Sequence, residues 1–91
     1  MPHPVHDHRY QPIGPELRRL RQERGWLQQD MAERLERTQT FVSKYESGER
    51  RLDVVELLDI LRALEADPHA FIDWLQENSA PVMTRRKQAR R

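Results

Sequence analysis

Apolar residues recur three and four positions apart through the middle of the chain, with polar residues between them. That is the spacing of amphipathic helices, not of strands. Leu17 and Leu20 give a first helix its inner face and turn Arg18, Arg19 and Gln22 outward. Gly14-Pro15-Glu16 reads as its start: glycine at the cap, proline at the first helical position, an acid in the first turn. Gly25 supplies a left-handed stop. Trp26 and Leu27 lead into a second helix, where Leu27, Met31, Ala32 and Leu35 share a face. Thr38 caps a short third helix that points Val42 and Tyr45 inward and ends at Ser47-Gly48. Asp53 and Glu56 form a capping box inside a Leu52/Leu57 staple, and Leu57, Leu58, Leu61 and Leu64 continue that fourth helix. Asp67-Pro68 opens a fifth, which carries Phe71, Ile72, Trp74 and Leu75. No stretch sustains strand alternation. The expected fold is all-α, five short helices with brief connections.

The ends read differently. Residues 1–13 hold three prolines and three histidines without helical period and are expected to be a flexible arm. Residues 14–80 form the folded domain, and 81–91 are expected to be a flexible basic tail. His3, His6 and His8 invite a metal reading, but an amino-terminal copper site needs the backbone nitrogen of residue 2, and Pro2 has no N–H to give up. No metal or cofactor is assigned. With 91 residues the core is thin and a deep catalytic cavity is not expected. The absence of cysteine closes disulfide, zinc-thiolate and thiol-redox readings. No apolar run approaches the roughly 18–20 residues that span a bilayer, and no signal-peptide pattern opens the chain, so a cytoplasmic protein without membrane contact is expected. The acids lie on solvated helix faces beside arginine, as Glu33 does with Arg37, and His69 is the only histidine of the folded part. An enzyme is not expected.

Net charge is only +1, but its distribution is uneven. Residues 15–52 carry nine bases against seven acids, residues 53–80 carry Arg62 against seven acids, and residues 81–91 carry five bases and no acid. A basic front, an acidic back and a basic tail suit a protein that faces a polyanion in one orientation.

The segment from Gln28 to Glu46, QQDMAERLERTQTFVSKYE, resembles the helix-turn-helix of the Cro and lambda-repressor-like family, also called the xenobiotic response element family. The resemblance spans roughly residues 15–72. Gln28 opens the second helix, Ala32 is the small residue at the helix crossing, and Val42 and Tyr45 plug the third helix into the core. Glu46-Ser47-Gly48 looks like the family's Glu-Asn-Gly ending. Two positions depart from the pattern: Glu36 stands where the family usually has a glycine with positive φ, at a cost of about 1 kcal/mol, and Leu27 stands where it favours a Ser or Thr cap. The resemblance implies a five-helix lambda-repressor-like domain whose third helix enters the major groove of double-stranded DNA.

In that frame, residues 39, 40, 41, 43 and 44 lie outward or at the N-terminal end of the recognition helix. Gln39 suits a bidentate bond to an adenine edge, Thr40 or Phe41 suits a thymine methyl, and Lys44 suits guanine or a phosphate. Gln28 is expected to hold a phosphate at the N-terminus of the second helix, and Ser43, Ser47, Arg50 and Arg51 are further phosphate candidates. The resemblance also implies a partly buried structural ion pair between Arg21 and Glu46. Family members commonly bind near-palindromic sites as dimers. Phe71, Ile72, Trp74 and Leu75 exceed what one helix can hide and are the expected homodimer surface. The leading reading is a transcriptional regulator, in particular a repressor. Two alternatives stay open: an antitoxin whose acidic back (Glu56, Asp59, Glu65, Asp67, Asp73, Glu77) meets a basic toxin, and an interaction module that has lost DNA binding.

Overall fold

The computed structural model describes residues 8–79 and places them in five helices: α1 (Ile13–Glu23), α2 (Gln28–Leu35), α3 (Gln39–Ser47), α4 (Val54–Ala63) and α5 (Pro68–Asn78). There is no strand among the described residues, and the fold is the all-α one that the periodicity implies. Residues 1–7 and 80–91, which include His3, His6 and the basic tail, lie outside the described residues. No helix among the described residues is long and apolar enough to cross a membrane.

Local chemistry sets the boundaries. The Thr38 hydroxyl accepts the Phe41 N–H at 3.1 Å and starts α3. Asp53 accepts the Glu56 N–H at 2.7 Å, and Glu56 accepts the Asp53 N–H at 3.1 Å, so both halves of the α4 capping box are made. Asp67 accepts the His69 N–H, and Pro68 takes the first position of α5, where it forfeits no helical bond. Gly25 and Gly48 end α1 and α3 with φ of 75° and 88°.

The start of α1 differs from expectation. The helix begins at Ile13, one residue before Gly14, so this glycine is not a cap. It is buried, and a Cβ there would meet the Glu46 carbonyl oxygen at 2.5 Å and that of Tyr45 at 2.7 Å. Gly14 is what lets α1 lie against the C-terminal end of α3. The preceding turn is also part of the fold. Tyr10, expected in a flexible arm, is 8% exposed and packs with Ile13 and Leu17.

The core gathers around α3. Leu17, Met31, Val42, Tyr45, Ile60 and Leu61 are essentially inaccessible to solvent, and each such side chain contributes about 1.5–3 kcal/mol by leaving water. Helix α3 packs on α1 and α2, α4 packs on α2, and α5 closes on α4. Leu27 corrects the expected inner face of α2: it is the N-cap residue, has extended backbone, and is 69% exposed. Its N–H donates to the Asp30 carboxylate at 2.8 Å, the half of a capping box that needs no Ser or Thr at the cap.

Candidate nucleic-acid interface

The turn between α2 and α3 sets the angle of the recognition helix. Glu36 ends α2 in the left-handed region at φ 57° and ψ 41°. The Arg37 N–H then reaches back to the Ala32 carbonyl at 3.0 Å. Without a glycine the conformation costs about 1 kcal/mol, and burial of the flanking Ala32 and Val42 overrides it.

On the outer face of α3, Gln39, Thr40, Ser43 and Lys44 are all exposed. With Glu49 from the following loop they line a shallow, open concavity of about 320 Å³. Lys44 Nζ lies 4.0 Å from the Glu49 carboxylate. The sequence reading missed Glu49, because its place on this face depends on how the chain turns after Gly48.

Phe41 is not on that face. It is 7% exposed and meets Tyr45 edge-on, with ring centroids 5.3 Å apart at 71°. Positions 41 and 45 are one turn apart, so the inward arc spans 41, 42 and 45. The Arg37 and Arg50 guanidiniums cover its ring at 3.8 and 4.9 Å. Phe41 therefore leaves the set of base-contacting candidates and joins the core.

Behind the exposed face runs a chain of polar contacts. Arg21 Nε donates to Glu46 Oε2 at 2.7 Å, Arg21 Nη2 donates to Glu46 Oε1 at 3.0 Å, and Arg21 Nη1 donates to the Trp26 carbonyl at 2.6 Å. The two side chains are 8% and 2% exposed. The hydrogen bonds to Glu46 hold the guanidinium proton more tightly than usual, against the opposing effect of burial. Gln28 Nε2 donates to the same Glu46 Oε1 at 3.1 Å, and Gln39 Nε2 donates to Gln28 Oε1 at 3.3 Å. Buried charge is thus linked through two amides to the first residue of α3. Tyr45 lies beside it, and burial pushes its phenol well above the ordinary value, so it is neutral at any working pH.

The remaining phosphate candidates separate. Ser47 Oγ donates to the Lys44 carbonyl at 3.1 Å, and Ser43 is exposed. Arg50 donates from both terminal guanidinium nitrogens to the Glu56 carboxylate at 2.9 Å. That contact holds the Glu56 carboxyl below the ordinary glutamate value. Arg51 is exposed, with its guanidinium 4.6 Å over the Tyr10 ring. Glu56 was legible as a cap; its second role as the partner of Arg50 was not, because the loop between them has no regular period.

On α5 the expected dimer residues also separate. Phe71 is 4% exposed and belongs to the core, which corrects its assignment to a surface. Trp74 and Leu75 are half-buried against the core, and Ile72 is exposed. The apolar excess read on this helix completes a thin domain at three of the four positions.

A family model described as a helix-turn-helix domain matches residues 12–71. Among solved structures, an XRE-family like protein from Pseudomonas syringae pv. tomato str. DC3000 is 42% identical, with a TM-score of 0.73. That match covers 80% of this chain and 89% of the other. No curated protein matches the chain. The family match over most of the fold, together with the identity to that structure, places the chain in the XRE-like helix-turn-helix family of DNA-binding regulators.

Proposed function

We propose that the protein is a repressor that binds a near-palindromic operator as a dimer and reads bases with Gln39, Thr40 and Lys44. The observation that carries this reading is the Gln28–Gln39 amide pair at the N-terminal ends of α2 and α3. An amide nitrogen has two hydrogens. Gln39 spends one on Gln28, which restrains its amide and leaves its oxygen and second hydrogen for another partner. Those two groups complement the N6 donor and N7 acceptor of adenine. Gln28 likewise keeps one amide hydrogen beyond the one given to Glu46, in place to meet a phosphate. Thr40 suits a thymine methyl, and Lys44 suits guanine or a phosphate one turn further along. Two copies would present their recognition helices about 34 Å apart, one turn of DNA. Ile72 is the large exposed apolar residue of α5 available to the contact between them.

Selection of bound duplexes from random DNA tests this reading, followed by sedimentation of the protein on the recovered duplex. The expected result is an inverted repeat with adenine in each half-site, bound by two protomers. Replacing Gln39 by Ala should relax the preference at that adenine by about 1–3 kcal/mol. Absence of any enriched sequence would refute the reading. Enrichment of a single half-site bound by one protomer would refute the dimer.

A further inference from the structure

We propose that Glu49 is a specificity-determining residue for DNA binding, whose carboxylate holds the Lys44 ammonium over the base-reading face and cancels the attraction of Lys44 to the phosphates of unrelated DNA. The inference rests on the proposed reading of α3 as the helix that meets bases.

Backbone ties carry Glu49 to that face. Gly48 turns the chain out of α3 with φ of 88°. The Ser47 hydroxyl donates to the Lys44 carbonyl at 3.1 Å and accepts the Glu49 N–H at 3.4 Å. The Arg50 N–H donates to the same Lys44 carbonyl at 3.2 Å. Residues 49 and 50 are thus folded back onto the last turn of the recognition helix, at the residue that carries its lysine. Among the described residues that line the concavity on α3, Lys44 is the only base and Glu49 the only acid. Their charged ends lie 4.0 Å apart.

The pair does little for the fold. Both side chains are more than half exposed, and an ion pair in that setting adds almost nothing to stability. Its effect belongs to the complex. As a duplex closes over α3, water leaves and the interaction between the two charges strengthens. On a sequence without matching bases, Lys44 meets the phosphates while still paired, and the carboxylate beside it is repelled by them. The two charges cancel, so the pair releases no counterion from the duplex. On a matching sequence, the O6 and N7 acceptors of a guanine edge are uncharged and receive the ammonium where the carboxylate holds it. A like charge set against the wrong partner turns modest attraction into discrimination.

Glu49→Gln keeps the size of the side chain and removes its charge. The measurement is the affinity of the wild type, E49Q, K44Q and the double variant for the duplex recovered by selection and for a random-sequence duplex of equal length, at salt concentrations between about 50 and 200 mM. E49Q should melt close to the wild type and bind the random duplex about two- to fivefold more tightly per protomer. The slope of its log affinity against log salt on that duplex should steepen by about 0.9 per protomer, as Lys44 becomes available to a phosphate. On the selected duplex the affinity should stay within about twofold, because lost repulsion and lost orientation of Lys44 oppose each other. Discrimination between the two duplexes therefore falls. In the K44Q background, removing the Glu49 charge should change neither affinity, since the carboxylate acts through the lysine. An equal gain on both duplexes, or a gain that persists without Lys44, would overturn the proposal, because net charge alone would account for it. So would a loss on the selected duplex with no gain on the random one, which would make Glu49 a base contact. A wild type that prefers no sequence would overturn the DNA reading itself, whereas a wild type that discriminates, with an E49Q protein that discriminates equally, would overturn only the role given to Glu49.

Discussion

Replacing Arg21 by Met tests whether the buried ion pair holds the recognition helix. Met has comparable length and no charge, so the change removes three hydrogen bonds with little loss of volume. Glu46 then keeps the Gln28 amide at 3.1 Å, in a site where its side chain is 2% exposed. Leaving one charge of a buried pair uncompensated costs about 3–5 kcal/mol. A domain of this length has about 4–10 kcal/mol of total stability, so R21M should sit near the edge of folding. At about 4–8 °C per kcal/mol, the melting temperature should fall by at least about 12 °C. Thermal or urea unfolding followed by tryptophan fluorescence reads this directly, since Trp26 adjoins the broken site. The control is R21M/E46M, which removes both charges and should recover most of the loss. A drop below about 1 kcal/mol in R21M would refute the argument that the pair is energetically isolated from water. If the double variant were no more stable than the single one, the cost would lie in packing and not in the stranded carboxylate. Even when stable, the double variant should bind DNA more weakly than the wild type, because Gln28 has lost the acceptor that orients it toward Gln39.

Two further outcomes follow from single contacts. Gly14→Ala adds only a methyl group and raises helix propensity, yet it should destabilise by about 1–3 kcal/mol or more, because the new Cβ would be driven into the carbonyl oxygens of Tyr45 and Glu46; calorimetry showing G14A as stable as the wild type would rule this out. Glu56 has a folded-state pKa below its ordinary value, so its contribution is fully present above that ordinary value and is lost as pH falls through the folded one. Glu56→Gln should therefore cost about 1–2 kcal/mol near neutral pH, and the gap to the wild type should close in urea titrations run at progressively more acid pH.

The helices were legible because their signals are local. Thr38, the Asp53/Glu56 box and Asp67-Pro68 each act within a turn of where they stand, and each makes its expected bond. Glu36 was legible as a left-handed position only through the family pattern, since its own side chain gives no such signal. What the sequence concealed is nonlocal. Whether Gly14 caps a helix or admits a neighbour depends on where α3 ends, and whether Phe41 faces DNA or core depends on the width of α3's buried arc. Tyr10 stands in a proline- and histidine-rich stretch whose composition reads as disorder, but one aromatic ring with a partner loop forty residues away is enough to order it.

The same distinction bears on charge. The excess of bases over residues 15–52 reads as a surface for a polyanion, but most of those bases contact acids or aromatic rings of the same domain. Arg19 pairs with Glu16 and Glu23, and Arg21 with Glu46. Arg34 lies over the Trp26 ring, Arg37 over Phe41, and Arg50 is bound to Glu56. The exposed face of α3 is instead made of an amide, hydroxyls and a single lysine. On the proposed reading, a protomer then neutralises few phosphates, and each phosphate contributes to affinity through counterion release. A face of this kind gains less from nonspecific attraction than a strongly basic one, so a larger share of its affinity must come from base edges. It also makes a single copy a weak binder. The polar, weakly charged character of the recognition face is therefore itself an argument that a second copy completes the site, independent of any apolar surface on α5.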